Sequence, residues 1–243
     1  MSFGRATAAV AAALIASAPP AAADDDRWTS FAGGIAPGTG IAQTAQGEYY
    51  ACTLGLIAGD PATHRLYGIT AGHCDNATMG RTVLYTDANS PDVARPLGTY
   101  TASRSDDGPT PTGPDALPLY TDAGVIAIQA GTPIASFKIA GVYPVRGVVE
   151  DYHDLPADTE VCKFGMKTGE TCGPVVAAST YTVSAKLRAD HGDSGSPLYI
   201  RNNDGTVNLI GIASASNSDL SRFFYVAPVL KALHLQVCGC GSN

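Results

Sequence analysis

The sequence predicts an all-β fold closed by one C-terminal helix. Short runs rich in Val, Ile, Thr and Tyr recur along the chain, split by turn residues. The 27 glycines and 16 prolines among 243 residues are spread out, which marks many turns rather than a disordered block. Only the stretch from Val226 to Val237 repeats its apolar residues at helical spacing.

The elements follow in chain order. Residues 24–40 are acidic, then glycine-rich, and form a lead-in. Strand character follows at Cys52–Ala58, Leu66–Thr70, Thr82–Thr86, Gly124–Gln129 and Lys138–Val149. It returns at Gly173–Ala185, Pro197–Ile200, Val207–Ser214 and Phe223–Val226. Residues 106–118, with their Pro, Gly and Asp, read as a surface loop. Asn202-Asn203-Asp204-Gly205 reads as a hairpin turn between two of the runs. Pro228 suits a first helical turn. Val226, Val229, Leu230, Leu233 and Val237 then form a stripe that docks as core, with His234 packed or at the surface beside it. Many strands and one terminal helix mean a sandwich or a barrel.

The start of the chain reads as a targeting segment. Arg5 is a lone positive charge, Ala8 to Ala18 is alanine-rich and apolar, and Ala21-Ala22-Ala23 offers a small-residue cleavage site before Asp24. Residues 1–23 are therefore expected to be a secretory signal and the product a secreted protein. The apolar run is too short to span a bilayer, and no later run reaches 18 apolar residues, so no membrane partner is expected. Net charge is −7 with no Lys/Arg-rich run, which argues against nucleic acid. Six cysteines in an oxidising compartment suggest disulfides, with fifteen possible pairings. No C-x-x-C pair is followed by a second such pair, so neither a metal nor another cofactor is expected.

The strongest local signal is His191-Gly192-Asp193-Ser194-Gly195-Ser196-Pro197. A serine between glycines can sit on a tight turn whose Gly192 and Ser194 N–H groups converge on one point, as an oxyanion requires. A serine hydroxyl is inert without a histidine base, and that base needs an acid to hold its tautomer. The base candidate is His73, in Ile69-Thr70-Ala71-Gly72-His73-Cys74. The acid candidate is Asp122, at the mouth of the apolar run Ala123–Ile128. Asp115 lies nearby but sits among turn residues. An α/β-hydrolase elbow would need glycine where Ser196 stands.

Thr-Ala-Gly-His-Cys, the Asp before an apolar run and Gly-Asp-Ser-Gly-Ser-Pro follow one another in the order His, Asp, Ser. This resembles the chymotrypsin-like serine peptidases, and more narrowly the bacterial branch of α-lytic protease and the streptogrisins. Cys52–Leu56, Val161–Gly165, Thr171–Gly173 and Tyr225–Val229 extend the likeness from about Gly33 to Val237. The resemblance implies two six-stranded antiparallel β-barrels, about 31–130 and 131–243, with a polypeptide substrate bound in the crevice between them. His73 would be base and then acid, Asp122 its orienter and Ser194 the nucleophile, in a monomeric endopeptidase. Ser214 would help hold Asp122, and Ser214-Ala215-Ser216 would pair with the substrate backbone. Arg188 occupies the position at the base of the side-chain pocket, though it could equally point to solvent or pair with Asp190.

The resemblance also implies the disulfides Cys52–Cys74 and Cys162–Cys172. Cys238 and Cys240 are left as a weaker third pair, because a Cys-Gly-Cys bridge is short and strained. Asp193 would be buried and in need of a cation. Animal relatives use a new N-terminal amine, whereas the bacterial branch uses an arginine after the first cysteine of the hairpin pair. Lys163 stands there in this chain, so a Lys163–Asp193 ion pair is expected. The rival from another functional class is a catalytically silent relative that binds peptides or a partner protein.

Overall fold

The computed structural model describes residues 28–105, 117–150, 152–217 and 220–239. The expected signal segment, Asp115 and Cys240 lie outside them, so a Cys238–Cys240 link does too. Seven strands come first: β1 (Gly40–Ala45), β2 (Glu48–Thr53), β3 (Leu56–Gly59), β4 (Leu66–Thr70), β5 (Thr82–Asp87), β6 (Ser90–Arg104) and β7 (Ala123–Ile128). They are followed by β8 (Val145–Val148), β9 (Glu160–Gly165), β10 (Gly169–Ala178), β11 (Thr182–Ala185), β12 (Pro197–Arg201), β13 (Val207–Ser216) and β14 (Ser221–Tyr225). Helix α1 (Ala227–Ala232) and β15 (Gln236–Val237) end the described chain.

The strands form two sheets, one of β1–β7 with β15 and one of β8–β14. In the first, β1 pairs with both β2 and β5, while only Leu54 and Gly55 separate β2 from β3. That bend carries the ring β1–β2/β3–β4–β7–β6–β5 back on itself. In the second, β12 pairs with both β9 and β13, closing the ring β12–β9–β10–β11–β14–β13, with β8 added in parallel beside β13. Closure removes exposed edges, which is how an all-β chain avoids unpaired backbone groups.

Each barrel has its own apolar filling. Ile57, Ile69, Val83, Tyr85 and Ile126 centre the first, and Val161, Val175, Val183, Leu198 and Phe223 the second. Ile212, Val226, Val229 and Leu230 join the first cluster from the C-terminal half, so the core runs through the junction between the sheets.

Several elements differ from their sequence-based expectation. The helix stops at Ala232, and His234 follows with φ +53°, a left-handed turn that ends it. The rest of the stripe then pairs as β15 with β3, so residues 236–237 return to the first sheet. The run Lys138–Val149 yields only β8, because a turn reverses the chain between Ile139 and Tyr143. The unanticipated strand β6 carries Pro91 and Pro96. Both lie in its outer half, beyond the Gly98–Arg104 stretch that pairs with β7, where a missing N–H costs little. The Asn202–Gly205 turn joins β12 to β13, with the Asn202 N–H donating to the Thr206 carbonyl at 2.8 Å.

Two disulfides staple the fold: Cys52–Cys74 joins β2 to the turn after β4, and Cys162–Cys172 links directly opposed residues of β9 and β10. Peptide mapping under non-reducing conditions should recover these two links, and a Cys74–Cys162 link would contradict the topology. Replacing Cys52 and Cys74 together by Ala should lower the unfolding free energy by about 3 kcal/mol in urea, from loop-closure entropy.

Candidate active site

His73, Asp122 and Ser194 come together from three loops. After β4, Gly72-His73-Cys74 forms a single 3-10 turn pressed against the first sheet. Gly72 is required there, because a Cβ would stand 1.9 Å from the Arg104 carbonyl oxygen. Asp122 enters β7 with its side chain 3% exposed. Its Oδ1 accepts the His73 backbone N–H at 2.9 Å, and its Oδ2 lies 2.7 Å from His73 Nδ1. The Ser214 hydroxyl, on β13, donates to the same Oδ2 at 2.6 Å. Burial alone would raise the Asp122 carboxyl, but the His73 and Ser214 contacts outweigh it and hold the group below the usual aspartate value.

On the other side, His73 Nε2 lies 2.8 Å from Ser194 Oγ. One imidazole thus touches a carboxylate through one nitrogen and a hydroxyl through the other. With the Nδ1 proton held by Asp122, Nε2 is free to accept the serine proton.

The Ser194 loop is shaped by two left-handed glycines, Gly192 at φ +99° and Gly195 at φ +87°. Between them the chain turns tightly, with the Ser196 N–H donating to the Asp193 carbonyl and the Asp193 N–H to the Asp190 carbonyl, both at 2.9 Å. A Cβ on Gly195 would lie 2.0 Å from Thr70 Oγ1, so the loop packs directly on the end of β4. Thr53, missed by sequence reasoning, clamps it from β2. Its N–H donates to the Ser194 carbonyl at 2.7 Å and its hydroxyl to the Gly192 carbonyl at 2.8 Å. Among the described residues, no protein acceptor takes the N–H of Gly192 or of Ser194.

Asp193 points away from the cleft into the β9–β10 hairpin. Lys163 Nζ lies 3.1 Å from Asp193 Oδ2, with side-chain exposures of 0% and 1%. Asp193 Oδ2 also accepts from the Thr168 hydroxyl at 2.6 Å and the Asp190 N–H at 3.0 Å. Its Oδ1 accepts the Lys167 and Thr168 N–H groups at 2.9 and 3.2 Å. Gly165 makes the space: a Cβ there would be 2.2 Å from Asp193 Oδ1. Burial would raise this carboxyl as well, but the Lys163 charge, the Thr168 hydroxyl and the two backbone donors at Lys167 and Asp190 hold it below its ordinary value. Burial in turn pulls the Lys163 ammonium down, against the pull of Asp193. Thr168 and Gly165 are invisible in the sequence, because the register of the hairpin alone brings them to Asp193.

His73 and Ser194 open onto a cleft of about 710 Å³ bordered by Ala189, Gly192, Ala213, Ser214, Ala215 and Ser216. Arg188 is exposed and does not line it; its carbonyl accepts the Thr171 hydroxyl at 2.7 Å. Cys52, His73 and Cys74 bring ligand-type atoms within 4.8 Å of one another, but the two sulfurs are joined and offer no thiolate to a metal. No helix among the described residues is long and apolar enough to cross a membrane.

No protein-family model matches the chain. Two curated proteins do: the uncharacterized protein Rv1815 of Mycobacterium tuberculosis strain H37Rv at 32% identity, and MT1863 of strain CDC 1551 at 31%. Each alignment covers 184 residues, 73% of this chain and 72% of the relative. Among solved structures, a glutamic-acid-specific serine protease superposes with TM-score 0.61 at 17% identity, over 84% of this chain and 100% of the other. Cellulomonas bogoriensis chymotrypsin superposes with TM-score 0.54 at 22% identity, over the same shares. Thermobifida fusca protease A does so with TM-score 0.54 at 18% identity, over 84% and 98%. At these identities the likeness is one of fold, and the chain has the two-barrel, trypsin-like fold.

Removing one member of a buried ion pair leaves the other uncompensated. Lys163→Met should therefore cost about 3–5 kcal/mol in urea unfolding at neutral pH. A loss under about 1 kcal/mol would mean that Asp193 carries no buried charge. Asp122 and Asp193 are both held below the ordinary aspartate value in the folded chain. Their stabilisation is complete above that value and is lost as pH falls through the lower folded pKa values. Thermal unfolding should therefore show a steep loss of stability below pH 3.8, and a flat acid limb would overturn the assignment.

Proposed function

The chain belongs to one family with the mycobacterial proteins Rv1815 and MT1863, and we propose that it is a serine endopeptidase of the chymotrypsin-like class. The observation that carries this reading is the unbroken contact line Asp122–His73–Ser194, at 2.7 and 2.8 Å, at the edge of an open cleft. His73 takes the Ser194 proton as Oγ attacks a peptide carbonyl. The developing oxyanion is met by the N–H groups of Gly192 and Ser194. Asp122 stabilises the imidazolium, which then protonates the leaving amine at Nε2. The acyl-enzyme is hydrolysed by water through the same base.

The acyl half of the substrate lies along Ser214-Ala215-Ser216, and the small side chains of Ala189, Ala213 and Ala215 keep the pocket open. This reading does not assign Arg188 to that pocket, because it is exposed and does not border the cleft. The cation for Asp193 comes from Lys163 within the fold, which favours the α-lytic protease and streptogrisin branch and activity without proteolytic activation. Two disulfides suit a chain secreted to an oxidising compartment.

Digestion of a peptide library by the purified protein tests activity and preference together. Ser194→Ala and His73→Ala should each lower kcat/KM by about 10⁶ while the fold persists. Asp122→Asn should lower it by about 10⁴, because the wrong tautomer then faces Ser194. A phosphonylating serine reagent should label wild type at Ser194 and leave His73→Ala unlabelled. Wild-type protein that neither labels nor cleaves would be a silent, peptide-binding relative instead.

A further inference from the structure

One wall of the cleft is explained neither by the triad nor by β13. Trp28, the chain's only tryptophan, borders the same cleft as Ser194 beside Tyr50, Cys52 and Met166. Backbone contacts fix its place. The Thr29 carbonyl accepts the Gly40 N–H at 2.8 Å, and the Thr29 hydroxyl donates to the Met166 carbonyl at 2.9 Å. Gly40 makes room for this crossing, since a Cβ there would lie 2.7 Å from Trp28 Cβ and 3.3 Å from Met166 Sδ. Tyr49 meets the indole edge-on, with ring centroids 5.7 Å apart and planes at 77°. The indole is nonetheless only half-buried. Met166 also reaches the oxyanion loop, where a Cβ on Gly192 would touch it at 3.5 Å.

The two halves of a peptide leave the attacked carbonyl in opposite directions. On the reading above, the acyl half follows β13 in the second barrel. The amine half, protonated by His73, then runs toward the first barrel, over Cys52 and past Tyr50. An indole, a phenol ring and a thioether there offer apolar, polarisable surface suited to an aromatic or branched side chain. We propose that Trp28, Tyr50 and Met166 form a binding site for an apolar or aromatic side chain just after the scissile bond. The proposal rests on the peptidase reading. Lys167 borders the same cleft, so preference for an acidic residue is the competing outcome.

The test compares internally quenched peptides carrying Leu, Phe, Gly or Asp immediately after the scissile bond. A methyl ester with the same acyl half serves as control, because its methanol leaving group brings no side chain or ring to that place. Wild type should prefer Leu and Phe over Gly by about tenfold in kcat/KM, a modest share of what burying such a side chain can yield. Trp28→Ala should shrink that preference to within about twofold and leave the ester unchanged, while Trp28→Phe keeps most of it. A preference for Asp, an undiminished preference in Trp28→Ala, or equal loss on ester and peptides would overturn the proposal. A second readout does not need turnover or a Trp28 variant. In Ser194→Ala protein, phenylalanine amide should shift the emission of the single tryptophan, and glycine amide should not; absence of a shift with phenylalanine amide would also overturn it. If wild type cleaves neither substrate type, the peptidase reading itself fails, and the emission titration alone then decides whether the site exists.

Discussion

A buried carboxylate, Asp193, sits at the root of the Ser194 loop, and the surrounding architecture is organised around keeping it charged. Moving an aspartate into a protein interior costs several kcal/mol unless charge and hydrogen bonds replace its hydration. Asp193 receives both: one ammonium, one hydroxyl and three backbone N–H groups. Lys163 is equally committed, since its ammonium also donates to the Thr168 hydroxyl and to the Gly169 carbonyl at 3.1 Å. These donors come from the β9–β10 hairpin and from Asp190. Hairpin and nucleophile loop are therefore one unit, and neither can shift without exposing a buried charge.

That unit is braced at further points. Cys162–Cys172 crosses the hairpin beneath Lys163. Farther along, Glu170 accepts from the Tyr199 hydroxyl at 2.5 Å and the Tyr143 hydroxyl at 3.2 Å, and pairs with Arg201 at 2.5 Å. Tyr199 and Arg201 lie on β12, the strand that leaves the nucleophile loop, and β12 pairs with β9 at Leu198 and Lys163. The first barrel holds the loop from the opposite side through Thr53, whose carbonyl is in turn tied to the Thr70 hydroxyl at 2.8 Å. Thr70 ends the strand that leads to His73. His73 and Ser194 are thus registered to each other by Thr53 and Thr70, across the junction of the two barrels.

The sequence carried much of this. The His73 and Ser194 segments are legible because each chemical group sits on a glycine-marked turn at the end of an apolar strand. Asp122 is legible because a carboxylate entering a buried strand needs a partner. The strand β4 was readable to the residue, being bounded by turns. What was not legible came from pairing between segments distant in the chain. Strand β6 was hidden by two prolines that only the sheet topology renders harmless. The stripe after Pro228 reads as one helix, yet a single left-handed residue, His234, divides it into a helix and a strand of the first barrel. Thr53, Thr168 and Gly165 carry no local signal, because a threonine or glycine in a strand is ordinary until a partner strand brings a carboxylate to it.

The choice of lysine as the internal cation follows from the same saturation. An arginine fork binds best when both carboxylate oxygens are open to it. Here Asp193 Oδ1 already accepts two backbone N–H groups, which leaves the cation one oxygen to share with Thr168 and Asp190. A compact ammonium with three donors fits that geometry: one donor meets Oδ2, one the Thr168 hydroxyl and one the Gly169 carbonyl. A guanidinium would need more volume in a place where both side chains are already fully buried. Pairing of β9 with β10 sets Lys163 opposite Thr171 and gathers Lys163, Lys167 and Thr168 on the one hairpin that meets Asp193. The Ser194 loop is then held by a formed hairpin, with the partners of Asp193 drawn from that hairpin and from Asp190.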